Sequence, residues 1–169
     1  MPHIASIAYT PLNAERKPKS RFARAPLESA TLVPRHGIQG DAKATRGKRQ
    51  LNVMLAEQVA ELAAEGFHTA PGELGEQLVI AGLTLEAIAP GACVRLGDSA
   101  VIELYEPRTG CGRFAKVQGQ PASAADGRLG YMARVLTGGS IKIGSPAEII
   151  DRDATIRNAA SSSQRALDF

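Results

Sequence analysis

Gln77-Leu78-Val79-Ile80-Ala81-Gly82-Leu83-Thr84-Leu85-Glu86-Ala87-Ile88-Ala89-Pro90-Gly91-Ala92-Cys93-Val94-Arg95-Leu96-Gly97-Asp98-Ser99-Ala100-Val101-Ile102-Glu103-Leu104-Tyr105 is the stretch that decides the fold. Its apolar and β-branched runs, Leu78–Ile80, Leu83–Leu85, Cys93–Leu96 and Val101–Tyr105, are each too short for a packed helix and are broken at Gly82, Gly91 and Gly97. Short runs of this composition between glycine turns read as strands, and their close spacing predicts a mainly β fold, a barrel or a sandwich.

The flanks agree. His3–Tyr9 alternates weakly and stops before Pro11, which suits a first strand; Ala30–Val33 and Leu51–Leu55 suit two more. Between them, Asn13–Pro26 is basic and broken by prolines, and reads as a loop or arm. One clear helix follows Leu55, with Leu55, Val59, Leu62 and Phe67 on its apolar face and a stop at Gly66. Glu57, Glu61 and Glu65 recur on one side of it, as on an ordinary solvent-facing surface, so they carry no paired-carboxylate chemistry. Beyond residue 110 the pattern predicts a polar loop, a short helix over Tyr131–Leu136, and strands at Ile141–Ile143 and Ala147–Ile150. Residues 1–150 form one domain on this reading, since 169 residues suit a single core, and residues 151–169, with Ser161-Ser162-Ser163, form a C-terminal tail.

No apolar run approaches the roughly 20 residues that span a bilayer, and Met1–Ser6 carries no basic stretch followed by an apolar core. The expectation is a cytoplasmic protein away from membranes, with Cys93 and Cys111 as free thiols.

Charge is segregated along the chain. Residues 1–50 hold ten Lys/Arg against three Asp/Glu, residues 51–106 one against nine, and residues 107–150 six against two. If the fold brings the two basic segments together, they make an electropositive pocket. Aromatic residues are only 4% with no tryptophan, which argues against a base-stacking nucleic-acid surface.

Within the second basic segment, Pro107-Arg108-Thr109-Gly110-Cys111-Gly112-Arg113-Phe114 sets a cysteine in a glycine turn between arginines. Guanidinium groups favour the thiolate, the form that acts as nucleophile or metal ligand. The glycines would let a large ligand reach the backbone and leave amides free to donate. In the first basic segment, His36–Arg49 mixes glycines with cations, a composition that can wrap a phosphate. It is no P-loop, because Arg49 follows Lys48 where that motif needs Ser or Thr. Cys93, inside a β-rich run, reads as core packing; His36 beside the glycine turn is a ligand or proton-carrier candidate that reads first as a loop histidine with one plain hydrogen bond, and His3 and His68 have no partners in the sequence.

Three separated motifs together resemble the MOSC family, the module found at the C-terminus of molybdenum cofactor sulfurases and as small stand-alone bacterial proteins. Gly37-Ile38-Gln39-Gly40-Asp41-Ala42-Lys43, followed by Arg49-Gln50-Leu51, is similar to the family's Gly-x-x-Gly-Asp-x-His segment. Pro71-Gly72-Glu73-Leu74-Gly75-Glu76-Gln77-Leu78 is similar to its Gly-Glu-x-Gly-Glu-Asn-Leu, and Pro107–Cys111 stands where the family places its cysteine. The likeness runs from about Ile4 to Ile150, with Lys43 in place of histidine, Gln77 in place of asparagine and Gly110 where many relatives have proline.

The resemblance implies a β-barrel-like fold with a few short helices and binding of the molybdenum cofactor, molybdopterin, an anionic pterin. It implies Cys111 as the catalytic residue and molybdenum ligand. Lys43, Lys48, Arg49, Arg108 and Arg113 are the phosphate and pterin clamps it suggests, with Gly40, Thr109, Gly110 and Gly112 as further cofactor-binding positions, the amides around Gly40 and Gly112 adding donors. Asp41 would fix the Gly40 loop by bonding its backbone or by pinning Arg49. Glu73 and Glu76 divide evenly between structure and site. Sulfur transfer and reduction of N-hydroxylated compounds both occur in the family, and either would need an external sulfur or electron donor protein. A non-catalytic cofactor carrier, or an anion or nucleic-acid binder driven by the basic arm, are the alternatives.

Overall fold

A computed structural model describes residues 1–153 and residue 157. Its strands in chain order are β1 (His3–Tyr9), β2 (Ala25–Leu27), β3 (Ser29–Val33), β4 (Gly37–Ile38), β5 (Leu51–Leu55), β6 (Leu78–Ala81), β7 (Ala92–Leu96), β8 (Ala100–Pro107), β9 (Tyr131–Thr137), β10 (Gly139–Lys142) and β11 (Ala147–Ile150). The helices α1 (Ala56–Ala64) and α2 (Gly112–Gln118) follow β5 and β8. Eight strands form one sheet in the order β11-β7-β8-β9-β5-β6-β1-β2, and β10-β3-β4 form a second. Pairing is antiparallel except for β5 with β6, which α1 connects.

The side-chain alternation of β5 shows how the sheet divides the interior. Leu51, Val53 and Leu55 enter a core shared with Leu32 of β3, Ile38 of β4 and Ile141 of β10. Met54, one residue out of phase, packs in a second core with Leu62 of α1, Phe114 of α2 and Leu74. The small sheet therefore covers one face of the large sheet and the helices cover the other.

The fold is mainly β, as expected, but the barrel is not closed. The large sheet ends at β2 and β11, and the approach to closure is a single bridge between His3 and Pro146 beside β1. There β1 and the approach to β11 meet through the Ala147 amide on Pro2 O, the Ile4 amide on Ser145 O and the Gly144 amide on Ile4 O, a short contact that does not extend along β11.

Three local expectations are corrected. Tyr131–Leu136 is not a helix but most of β9, paired with both β5 and β8, so two ladders override its helix-forming Met132, Ala133 and Leu136. Leu83–Leu85 is not a strand: it bends into a 3₁₀ turn over Leu85–Ala87, with Leu83 buried and Leu85 exposed. The segment after Cys111 is not a loop but begins with α2, which Phe114 and Gln118 bury at an i, i+4 spacing. Most of the expected tail lies outside the described residues. Among those described, no helix is long and apolar enough to cross a membrane.

Candidate functional site

A cavity of about 640 Å³ opens on the helix-bearing side of the large sheet. Four segments wall it: the arm after β1, the turn before β5 with Lys43 and Arg49, the Gly75–Gln77 turn before β6, and the connection from β8 to α2 with Arg108, Thr109 and Cys111. The two basic segments of the sequence thus meet in one place.

Arg108 is the innermost cation, 6% exposed. Its backbone amide donates to Gly130 O and its Nη2 donates to Leu74 O at 2.6 Å, while Nε and Nη1 have no hydrogen-bond partner. Burial pushes this guanidinium down to about 10, against the pull of Glu76, so it is still charged at neutral pH. Arg24 lies beside it, donating from Nη1 to Thr10 Oγ1 at 3.3 Å and leaving Nε unpartnered. Burial lowers the Arg24 pKa too, opposed by Asp41 and Glu76. The glycines of the Pro71–Leu78 motif admit both side chains. A Cβ at Gly72 would lie 2.5 Å from Arg24 Cβ and one at Gly75 2.6 Å from Arg108 Nη2, and both residues have positive φ, 83° and 82°.

Cys111 caps the start of α2 and is exposed. Partial burial opposes ionisation of its thiol, but the backbone amides of Phe114 and Arg113 and the charges of Arg108 and Arg49 outweigh that, and the thiol is held below its ordinary value. Fully buried Phe114, packed against Phe67 with the rings tilted by 32° and centroids 6.1 Å apart, anchors the helix that carries these amides. Arg113 lies 5.4 Å over the Phe22 ring and donates to Arg21 O, tying α2 to the arm. Cys93 is buried, and its thiol is pushed up by burial first and by Glu103 second, as a core residue should be.

Of the residues singled out in the sequence, Lys43, Arg49, Arg108, Thr109, Cys111 and Arg113 line the cavity. Gly40, Asp41, Lys48, Gly110 and Gly112 do not. Gly40 and Lys48 are exposed away from the lining, and a Cβ at Gly110 would meet Ala122 and Phe114, so that glycine serves the close packing of the turn against α2. Gly112 has open space around it. Asp41 is buried and accepts from the Thr10 and Lys43 amides and from Gln77 Nε2, so it fixes the loop by its backbone and does not pin Arg49. Gln77 completes this frame by accepting from the Asn52 amide at 2.7 Å. Glu76 is structural as well, taking the Gly72 and Leu74 amides, and Glu73 takes that of Ala70.

Sequence reasoning did not select Arg24, Thr10, Asn52, Gln77 or Phe22 for the site. The available signal was the basic arm, which contains Arg24 and Phe22 but no periodicity to say which side chains turn inward.

The family model for the MOSC domain matches residues 34–148. Among curated proteins, YflK of Bacillus subtilis is 29% identical over 147 residues, 81% of this chain and 66% of that protein, so this chain spans slightly less than two thirds of that relative. A protein of Gibberella moniliformis named as a reductase is 32% identical over 85 residues, 48% of this chain but 15% of that one. Among solved structures, YiiM of Geobacillus stearothermophilus superposes with a TM-score of 0.67 at 19% identity, covering 90% of this chain and 76% of its own. YuaD of Bacillus subtilis superposes with 0.68 at 19% identity, covering 88% and 96%. These structural likenesses concern the fold, whereas the sequence match runs from the turn before β4 into β11 and takes in the Lys43–Arg49 wall and the Cys111 turn alike: the chain belongs to the MOSC domain family.

Proposed function

We propose that this chain binds the molybdenum cofactor, with Arg108, Arg24 and Arg49 holding its phosphate and Cys111 presenting a thiolate to its metal and sulfur chemistry. The observation that carries the reading is Arg108, a buried guanidinium with two unpartnered nitrogens in the cavity that also exposes Cys111. A buried cation that no carboxylate pairs directly is costly even with Glu76 nearby, and phosphate oxygens would offset that cost through charge-assisted hydrogen bonds. The residues present therefore fit a phosphate-bearing group. When bound, the cofactor supplies a sulfur-ligated redox metal that accepts a soft thiolate.

The chain's own part is to bind, orient and hold charge. Lys43 adds a point charge where relatives carry histidine. Asp41 and Gln77 fix the backbone from which Lys43 and Asn52 enter the cavity. The Phe114 and Arg113 amides keep the Cys111 thiol ionised more readily than a free cysteine. In sulfur transfer this thiolate would attack the outer sulfur of a donor protein's persulfide, taking that sulfur and releasing the donor's thiolate. In reduction it would serve as ligand while an external protein supplies the electrons.

A carrier role has one observation in its favour: the cavity lining contains no histidine, and its one carboxylate is Glu15, so acid–base partners beside Cys111 are few. Protein from a cofactor-producing host decides. Arg108→Gln is expected to lose most of its molybdenum, and Cys111→Ser to lose sulfuration or turnover of N-hydroxylated substrates. Retained molybdenum in Arg108→Gln sinks the binding site as drawn; retained turnover in Cys111→Ser takes the catalytic role away from that thiol, and a wild type that holds molybdenum without sulfuration or turnover is a carrier.

A further inference from the structure

We propose that the cavity seats two anionic groups at once, one against the buried arginines and a second against the arm cations Arg16 and Lys17. This rests on the anion-binding reading above and extends it to the charge of what the site takes.

The argument is one of charge balance. Seven cations line the cavity, Arg16, Lys17, Arg24, Lys43, Arg49, Arg108 and Arg113, against the single carboxylate of Glu15. Behind the wall Asp41 and Glu76 act on Arg24, and Glu76 on Arg108. With these two carboxylates and an ionised Cys111 all counted, three positive charges are left over. One phosphate monoester brings about two negative charges at neutral pH and leaves the lining cationic. None of the seven has a carboxylate within ion-pair reach among the described residues, where the ion pairs join Arg95, Arg128, Arg134 and Arg152 to glutamates elsewhere.

The cations also fall into two tiers. Arg108 and Arg24 are held within, bonded to Leu74 O and Thr10 Oγ1. Arg16 and Lys17 are exposed on the arm, which the Arg113–Phe22 contact and the bond from Arg113 to Arg21 O tie to the Cys111 side of the cavity. Lys17 has φ of 53°, a left-handed backbone uncommon outside glycine. One compact anion on the inner pair leaves the outer tier unmatched. The second anionic group belongs either to the same molecule, as in a diphosphate-linked cofactor, or to a separate anionic substrate.

Calorimetric titration of the full chain at low ionic strength and pH 7, with inorganic phosphate and with pyrophosphate, tests this. Pyrophosphate is expected to bind about tenfold or more tightly than phosphate, a difference of about 1.4 kcal/mol. Arg16→Gln/Lys17→Gln, exposed positions that can change without unfolding the chain, is expected to cut that preference to about threefold or less. A preference that is absent in the wild type, or unchanged in the arm variant, overturns the second seat. If Arg108→Gln binds both anions as well as the wild type, the underlying reading fails as well, so the two failures are distinct. Phosphate saturating at two equivalents per chain would assign the outer seat to a separate molecule, and at one equivalent, with pyrophosphate preferred, to a linked group; either supports it.

Discussion

At the scale of single residues, two cysteines in one chain have opposite environments and give an internal comparison. Cys111 is exposed with its thiol lowered, while Cys93 is buried with its thiol raised. Alkylation of Cys111 should therefore run at lower pH and reach its plateau before Cys93 reacts, and mass spectrometry of iodoacetamide-treated protein across pH 6–9 reads this directly. Equal, slow labelling of both would remove the thiolate from the site. Arg108 invites a second test. Removing the buried charge relieves its desolvation cost but gives up the bond to Leu74 O and the attraction of Glu76, so Arg108→Met should change unfolding free energy by no more than about 1 kcal/mol, in either direction, while phosphate binding falls at least tenfold. A loss of 3 kcal/mol or more on urea unfolding would instead make Arg108 a structural residue. Part of this was legible: the Arg108-Thr109-Gly110-Cys111 run placed a cation and an exposed thiol side by side, and Arg108, Thr109 and Cys111 line the cavity. Lys48 and Gly112 shared its composition, but composition does not say which side a loop faces.

At the scale of elements, the β8–α2–β9 connection couples the fold to the site. Gly130, just before β9, has φ of 68°, and a Cβ there would lie 1.9 Å from Val53 O; its own carbonyl accepts the Arg108 amide. Gly130→Ala must move either β5 or the Arg108 backbone, and combines a left-handed strain of about 1–2 kcal/mol with that clash. The expected loss is roughly 2–4 kcal/mol in urea unfolding, together with weaker anion binding. Stability within about 0.5 kcal/mol of wild type would mean the turn is softer than drawn. The strands around Leu78–Tyr105 could be read because glycines punctuate them. β9 could not, because Tyr131–Leu136 is rich in helix formers and its strand character comes from β5 and β8, which lie far away in sequence. α2 was missed for the opposite reason: seven residues with two buried anchors give no periodic pattern.

At the scale of the molecule, the formal charge of +3 is less informative than where the charges fall. The fold gathers basic segments from both sides of the acidic middle onto one cavity, which the sequence allowed but did not require, since only the arrangement of β1, β5, β6 and β8 brings the arm to the cavity that Cys111 lines. Seven lining cations facing one carboxylate repel one another, and folding without a ligand must work against that repulsion. Screening should relieve it. Raising sodium chloride from 10 to 150 mM shortens the screening length from about 30 to about 8 Å, so the melting temperature of the ligand-free chain is expected to rise. Surfaces dominated by ion pairs respond in the opposite sense, because salt weakens attraction there. At equal ionic strength phosphate should raise the melting temperature further than chloride, because binding to the folded state adds RT ln(1 + [L]/Kd) to screening. In Arg108→Met the added phosphate effect should largely vanish while the chloride slope persists at reduced size. A melting temperature that falls with salt would show that the cations are already compensated, and with that the physical reason for an anion in this cavity would be gone.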